Sequence, residues 1–200
     1  KWIKISTSNN YVPNFYCTSW TEIKEAVSEI NANWPGGNIY VDGNIIMTEA
    51  VSWDLSNINF YGFSCVWRFT DKGHELEPIT AYLITITAGN PSFYNIIFAG
   101  SLHSHIGETF STYNSRSLFK LTQGGCRLVF ESCTFADVIG GTGTNKVIEG
   151  AGITSNTHSK LTFTSCSVGS HNNNVNFTYN GFRIGVTGTQ SGDFMVNVFN

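Results

Sequence analysis

Charge is what this chain has least of. Only 12% of its 200 residues are Asp, Glu, Lys or Arg, and the formal net charge is -3, so there is no basic surface on which to expect DNA or RNA as a partner. No run of 18 apolar residues occurs, which excludes a spanning helix and, with it, membrane insertion of that kind. The cysteines number five, an odd count, and none shows Cys-x-x-Cys spacing, so a zinc site is not expected. There is no Gly-x-Ser-x-Gly elbow and no Ser-His-Asp order for acyl chemistry. Gly140-Gly141-Thr142-Gly143-Thr144-Asn145-Lys146 fails the spacing of a phosphate-binding loop and reads as a turn. The chain neither opens on Met nor carries a secretory apolar segment, and the expectation is that its true start has been removed. Phe194-Met195-Val196-Asn197-Val198-Phe199-Asn200 reads as a final strand with no polar cap, so a longer parent chain or a covering subunit is expected there.

What the chain does have is Gly (20), Phe (15) and many Asn, Ser and Thr residues. Such a composition argues against disorder and for a surface hydrogen-bonded through uncharged groups. Four segments share one pattern: Phe60-Tyr61-Gly62-Phe63-Ser64-Cys65, Phe93-Tyr94-Asn95-Ile96-Ile97-Phe98, Phe130-Glu131-Ser132-Cys133-Thr134-Phe135 and Phe163-Thr164-Ser165-Cys166-Ser167-Val168. Their leading Phe residues lie 33, 37 and 33 residues apart, a period of stacked units that bury their apolar faces against neighbours. Strand alternation then sets a register. The leading Phe points in, the next residue points out, the small third residue turns a corner, and the fourth and sixth point in again. Gly62, Asn95, Ser132 and Ser165 suit that corner because they tolerate φ > 0 or bond locally. Tyr61, Tyr94, Glu131 and Thr164 would stack outward at the inter-strand spacing of roughly 4.8 Å. Upstream strands are expected at Leu83-Ile84-Thr85-Ile86 and Leu118-Phe119-Lys120-Leu121, with Ile84 and Leu121 each nine residues ahead of their Phe. Cys65, Cys133 and Cys166 fall on inward positions as small hydrophobes; Cys133 and Cys166 are candidate rung neighbours, so a disulfide between them stays open.

Ahead of the repeats, Ser19-Trp20-Thr21-Glu22 has capping-box spacing, and Ile23, Ala26, Val27 and Ile30 follow on one helical face. This predicts a helix over about residues 20–32, ended by Trp34-Pro35-Gly36-Gly37, with strands from about residue 38. Helix, Gly-Gly turn, Ile-x-Val strand and Phe-led hexads together resemble the right-handed parallel β-helix proteins of the pectate-lyase-like type, notably phage tailspikes and tail fibres. The resemblance implies an all-β solenoid with an N-terminal capping α-helix, a single domain over residues 17–200 behind an N-terminal extension at 1–16, and membership in a larger assembly.

It also implies a function: a virion appendage, extracellular and homotrimeric, that binds host cell-surface polysaccharide without a cofactor. Tyr61 and Tyr94, extended by Trp67, would supply ring faces, and polar neighbours would read sugar hydroxyls. The competing account places those aromatics beneath loops or in a subunit interface, which outward Ile97 favours. The alternative function is a polysaccharide lyase or glycoside hydrolase of the same fold, and a third is a purely structural shaft. Glycoside hydrolysis needs two carboxyls about 5 Å apart for retention or about 6.5–9.5 Å for inversion. The candidates are Glu131 with Asp137, which lies beyond the next strand, and the loop acids Asp71 and Glu75 with Glu77, for which a solvated loop is the simpler account. His103 and His105, with Glu108 near, place two imidazoles on one side of an extended segment but lack a third metal ligand. His74, His158 and His171 read as loop residues.

Overall fold

The structure, a computed structural model, describes residues 11–69, 84–99, 118–136, 147–151, 159–169, 184–187 and 194–200. In chain order these form strand β1 (Asn14–Cys17), helix α1 (Trp20–Asn33), and strands β2 (Gly37–Met47), β3 (Val51–Leu55), β4 (Ile58–Phe69), β5 (Ile84–Gly89), β6 (Ser92–Ala99), β7 (Phe119–Leu121), β8 (Arg127–Glu131), β9 (Thr134–Ala136), β10 (Ile148–Ala151), β11 (Ser159–Thr164), β12 (Ser167–Gly169), β13 (Ile184–Thr187) and β14 (Phe194–Phe199). The class is all-β with one helix. One sheet runs β1-β2-β4-β6-β8-β11-β14, with β9 and β12 continuing its far side, and a second runs β3-β5-β7-β10-β13. Every described pairing is parallel. The chain thus visits the two sheets alternately and returns to each one strand further along, an arrangement compatible with a β-helix-like solenoid.

The core lies between the sheets. Phe60 pairs with Phe93, Phe93 with Phe130 and Phe130 with Phe163. Their rings are nearly parallel, with centroids 5.0, 5.2 and 5.2 Å apart. This spacing is one strand-to-strand step, so an in-register Phe column comes with offset ring stacking, worth about 0.5–1.5 kcal/mol per pair beyond burial. Phe15 and Ile39 continue the column toward β1, and Val198 continues it on β14. From the second sheet Phe119 reaches across to Phe93, Phe98 and Phe130 at 5.3–5.5 Å.

The corners follow the expected chemistry in three levels of four. Asn95, Ser132 and Ser165 have φ of 55°, 54° and 51°. This left-handed geometry costs a non-glycine residue about 1–2 kcal/mol. Hydrogen bonds to the next level offset it: Ser132 N–H donates to Thr164 O at 2.8 Å and Ser165 N–H to Phe199 O at 2.9 Å. The thiols repeat as well, Cys133 Sγ donating to Phe93 O and Cys166 Sγ to Phe130 O, both at 3.3 Å. All five cysteines are free thiols.

The first hexad departs from the expected register. Between Tyr61 and Cys65 three residues stand opposite the single Asn95, so Cys65 pairs with Ile96 and Trp67 with Phe98. The two additional residues push Phe63 outside, where it is 55% exposed, and bring Trp67 into the interior at 0%. Phe63 was expected inside and Trp67 on the outer column; both are reversed, because an insertion of two residues restores alternation after the corner while changing which residues occupy it. Gly62 does not turn through φ > 0. It is small because a Cβ there would sit 2.3 Å from Asn95 O and 2.7 Å from Cys65 Sγ. The upstream strands shift similarly. Ile84 pairs with Phe119 and Ile86 with Leu121, so Ile84 and Leu121 are not equivalent; a slip of two leaves each side chain on its own face and escapes pattern reading.

Helix α1 covers the β1 end, with Trp20, Ile23, Ala26, Val27 and Ile30 buried. Ser19 Oγ accepts from Glu22 N–H at 3.3 Å, and Glu22 Oε2 accepts from Thr18 N–H at 2.6 Å. That hydrogen bond, with others from Thr18 and Ser19, holds the Glu22 carboxyl below its ordinary range. Three of the four residues of β1 lie in the stretch expected as an N-terminal extension, and the strand pairs with β2 along its whole length.

Two outcomes follow. In urea unfolding, Phe130→Ala should cost about 3–5 kcal/mol and Phe63→Ala less than about 1 kcal/mol; similar costs would contradict the inward and outward assignment. Burial pushes the Cys17 and Cys133 thiols up to about 12 and Cys65 up to about 11. An unfolded thiol ionises near pH ~8.5. The fold's preference for protonated thiols is therefore fully present below that pH and lost as pH climbs toward 11–12. The urea midpoint should fall from pH ~8.5 upward, and less so in a Cys65→Val/Cys133→Val variant; identical pH profiles would contradict thiol burial.

Candidate functional site

The outward face of the long sheet carries two adjacent ladders. The first is Asn14, Asn38 and Asn59, in register on β1, β2 and β4. Asn38 Nδ2 donates to Asn14 Oδ1 at 3.0 Å, and Asn59 Nδ2 to Asn38 Oδ1 at 3.2 Å. Each amide has more donors and acceptors than the ladder consumes, so Asn14 Nδ2 and Asn59 Oδ1 stand at its ends with hydrogen-bonding capacity left over. The second ladder, two residues along each strand, is Tyr16, Tyr40, Tyr61 and Tyr94. Its ring centroids are 5.1, 5.1 and 4.7 Å apart with interplanar angles of 17°, 20° and 6°. Glu131, Thr164 and Phe199 extend the same column through β8, β11 and β14.

The stacking decides what this face offers chemically. Tyr40 and Tyr61 each have a ring on both sides, so their faces are taken and only ring edges and hydroxyls meet solvent. Open ring surface survives at Tyr16, 71% exposed, and at Phe63, which leans on Tyr40 at 5.9 Å. Burial, with Tyr94 and Tyr40 beside it, pushes the Tyr61 phenol above its ordinary value, and a protonated phenol both donates and accepts. Amides, phenols and a terminal aromatic face arranged at one-strand intervals fit a polyhydroxylated ligand lying across the strands.

Of the residues expected here, Tyr61 and Tyr94 stand in this column. Trp67 does not, since it is enclosed by Phe60, Phe93 and Phe98. Glu131 is exposed on the outer face with Tyr94 and Thr164 as its in-register neighbours. Asp71, Glu75, Glu77, Asp137, His103, His105 and Glu108 lie outside the described residues. Among the described residues no group of three His, Cys, Asp or Glu side chains is placed to hold a metal ion. Tyr16, Tyr40 and the asparagines were overlooked, although a signal existed: Asn14-Phe15-Tyr16, Asn38-Ile39-Tyr40 and Asn59-Phe60-Tyr61 are one tripeptide pattern, echoed by Ser92-Phe93-Tyr94. The Phe-led hexads do not contain it, because Ile39 replaces Phe and Cys17 ends the first copy. Comparison with protein-family models, with curated proteins and with solved structures finds no match to this chain.

Proposed function

We propose that the stacked levels are the turns of a right-handed parallel β-helix and that the protein is an adhesin of the virion-appendage kind, extracellular and homotrimeric, which binds host surface polysaccharide through its Asn–Tyr face. The observation that carries this reading is the pairing of the two ladders: hydrogen-bonding amides beside phenols repeated at about 5 Å. A long saccharide presents hydroxyls along its length, and a rigid sheet holds matching groups without an ordering cost at binding. The homotrimer is supported by the outward face of β14, where Met195 and Phe199 are exposed apolar groups, the kind of surface that subunit contact covers.

A polysaccharide lyase or glycoside hydrolase of the same architecture is the second reading. It is favoured by Glu131, an exposed carboxylate one level beyond Tyr94 on the same face. The purely structural shaft would use neither ladder.

A panel of capsular and cell-wall polysaccharides immobilised for retention assays separates the three. Retention is expected on at least one acidic or neutral polysaccharide, with the Tyr40→Phe/Tyr61→Phe variant binding about tenfold more weakly through loss of two hydroxyls while keeping its far-UV spectrum. Retention unchanged by that variant, or absent across the panel, would sink the adhesin reading. New reducing or unsaturated ends that vanish in Glu131→Gln would replace it with the enzyme.

A further inference from the structure

At the β1 end of the sheet a groove of about 500 Å³ opens between β1 and α1, within the size of ordinary ligand sites, roughly 300–1,000 Å³. One wall is the strand edge. Asn38 N–H donates to Pro13 O at 2.9 Å, and because peptide groups alternate sides along a parallel strand, those of Asn14 and Tyr16 turn the other way, to the edge facing away from β2. Among the described residues β1 pairs with β2 alone. The other wall is one face of α1, where Glu22, Glu25, Ala26 and Glu29 line the groove. Their spacing of 3, 1 and 3 residues puts them in one stripe, and small Ala26 leaves the space between the carboxylates. Cys17 lines the floor at 3% exposure, and its thiol has no hydrogen-bond acceptor among the described residues. Burial, together with the negative field of Glu22 and Glu25, pushes that thiol up. None of the lining residues is cationic; Lys24, on the same helix, is engaged by Glu49.

A strand edge whose Asn14 and Tyr16 peptide groups meet no strand among the described residues, facing three carboxylates, selects an occupant. We propose that this groove is a docking site for an extended basic peptide segment, which adds to β1 as a further strand and sets its Lys or Arg side chains against Glu25, Glu29 and the open ring face of Tyr16. Main-chain hydrogen bonds to Asn14 and Tyr16 hold the segment in strand addition, the glutamates choose its charge, and Tyr16 supplies a cation–π surface. The site is separate from the amide and phenol ladders in what it recognises, since a neutral saccharide gains nothing from the carboxylates' field.

The test is fluorescence anisotropy with a labelled, end-blocked hexapeptide of alternating Val and Lys. Binding is expected to weaken when salt is raised from about 0.05 to 0.5 M, as partly exposed charges are screened, and about fivefold in Glu25→Gln/Glu29→Gln. Glu22 stays unchanged because it completes the helix cap. Two backbone-methylated peptides, methylated at the odd or at the even positions, separate strand addition from plain charge attraction: one should lose binding and the other keep it, because only one peptide edge faces β1. Equal binding by a Val–Glu peptide, indifference to both methylation patterns, or an unchanged Glu25→Gln/Glu29→Gln variant would each overturn the proposal. So would a chitosan oligomer that binds with that glutamate sensitivity while the peptide does not, which would hand the groove to an amino sugar. None of these outcomes bears on the Tyr40→Phe/Tyr61→Phe retention assay, so the two ideas fail separately.

Discussion

Parallel strands held in register along the Phe column impose equivalent positions on successive levels, and the rest of this molecule follows from that repetition. When Phe93 sits over Phe60 and under Phe130 with centroids 5.0 and 5.2 Å away, ring stacking and the backbone ladder ask for the same spacing, so neither strains the other. The thiols of Cys133 and Cys166 show the same agreement, each donating to the carbonyl of a Phe one level away. A structure with so few charges has little else to specify it. The ion pair between Lys24 and Glu49 is exposed, and such a pair contributes at most about 1 kcal/mol.

Repetition inside dictates repetition outside. Strands that bury Phe15, Ile39, Phe60 and Phe93 must present the residues beside them, and those are Tyr after each and Asn before the first three, with Ser92 before Phe93. The outward ladders are consequently rigid by inheritance from the core. They also limit themselves, because rings stacked on one another surrender their faces and leave edges and hydroxyls as the usable chemistry. This is why the proposed recognition rests on phenol and amide hydrogen bonds rather than on a broad aromatic platform. The ends of the sheet differ from its middle: β1 meets a helix bearing glutamates, and β14 shows apolar groups on both faces.

Much of the architecture was legible in the amino-acid order. The hexads located the stacked Phe residues, the small third residue located the corners at Asn95, Ser132 and Ser165, and the capping box located α1 together with its buried face. Three features escaped for one physical reason. Strand alternation has a period of two, so any irregularity of two residues is invisible to it. The pair of added residues at Gly62–Ser64 hid the inward position of Trp67 and the exposure of Phe63, and the slip between β5 and β7 hid the true partner of Ile84. The outward face was half legible. Tyr61 and Tyr94 follow Phe in matching hexads, whereas Tyr40 follows Ile39 and Tyr16 precedes the helix, where β1 went unrecognised because four residues are too short to show a pattern alone. The asparagine ladder is a hydrogen-bonded relation between strands, which composition does not reveal.

Spin labels placed on the outward column measure the register itself. With nitroxides at Tyr16→Cys and Thr164→Cys, five levels apart in the strand order, pulsed dipolar spectroscopy should give one narrow distance of about 24 Å, and moving the second label from position 164 to 131 should shorten it by a single step of about 5 Å. A broad distribution, or a change between the two label pairs that is not one inter-strand step, would contradict the in-register stacking on which the account stands.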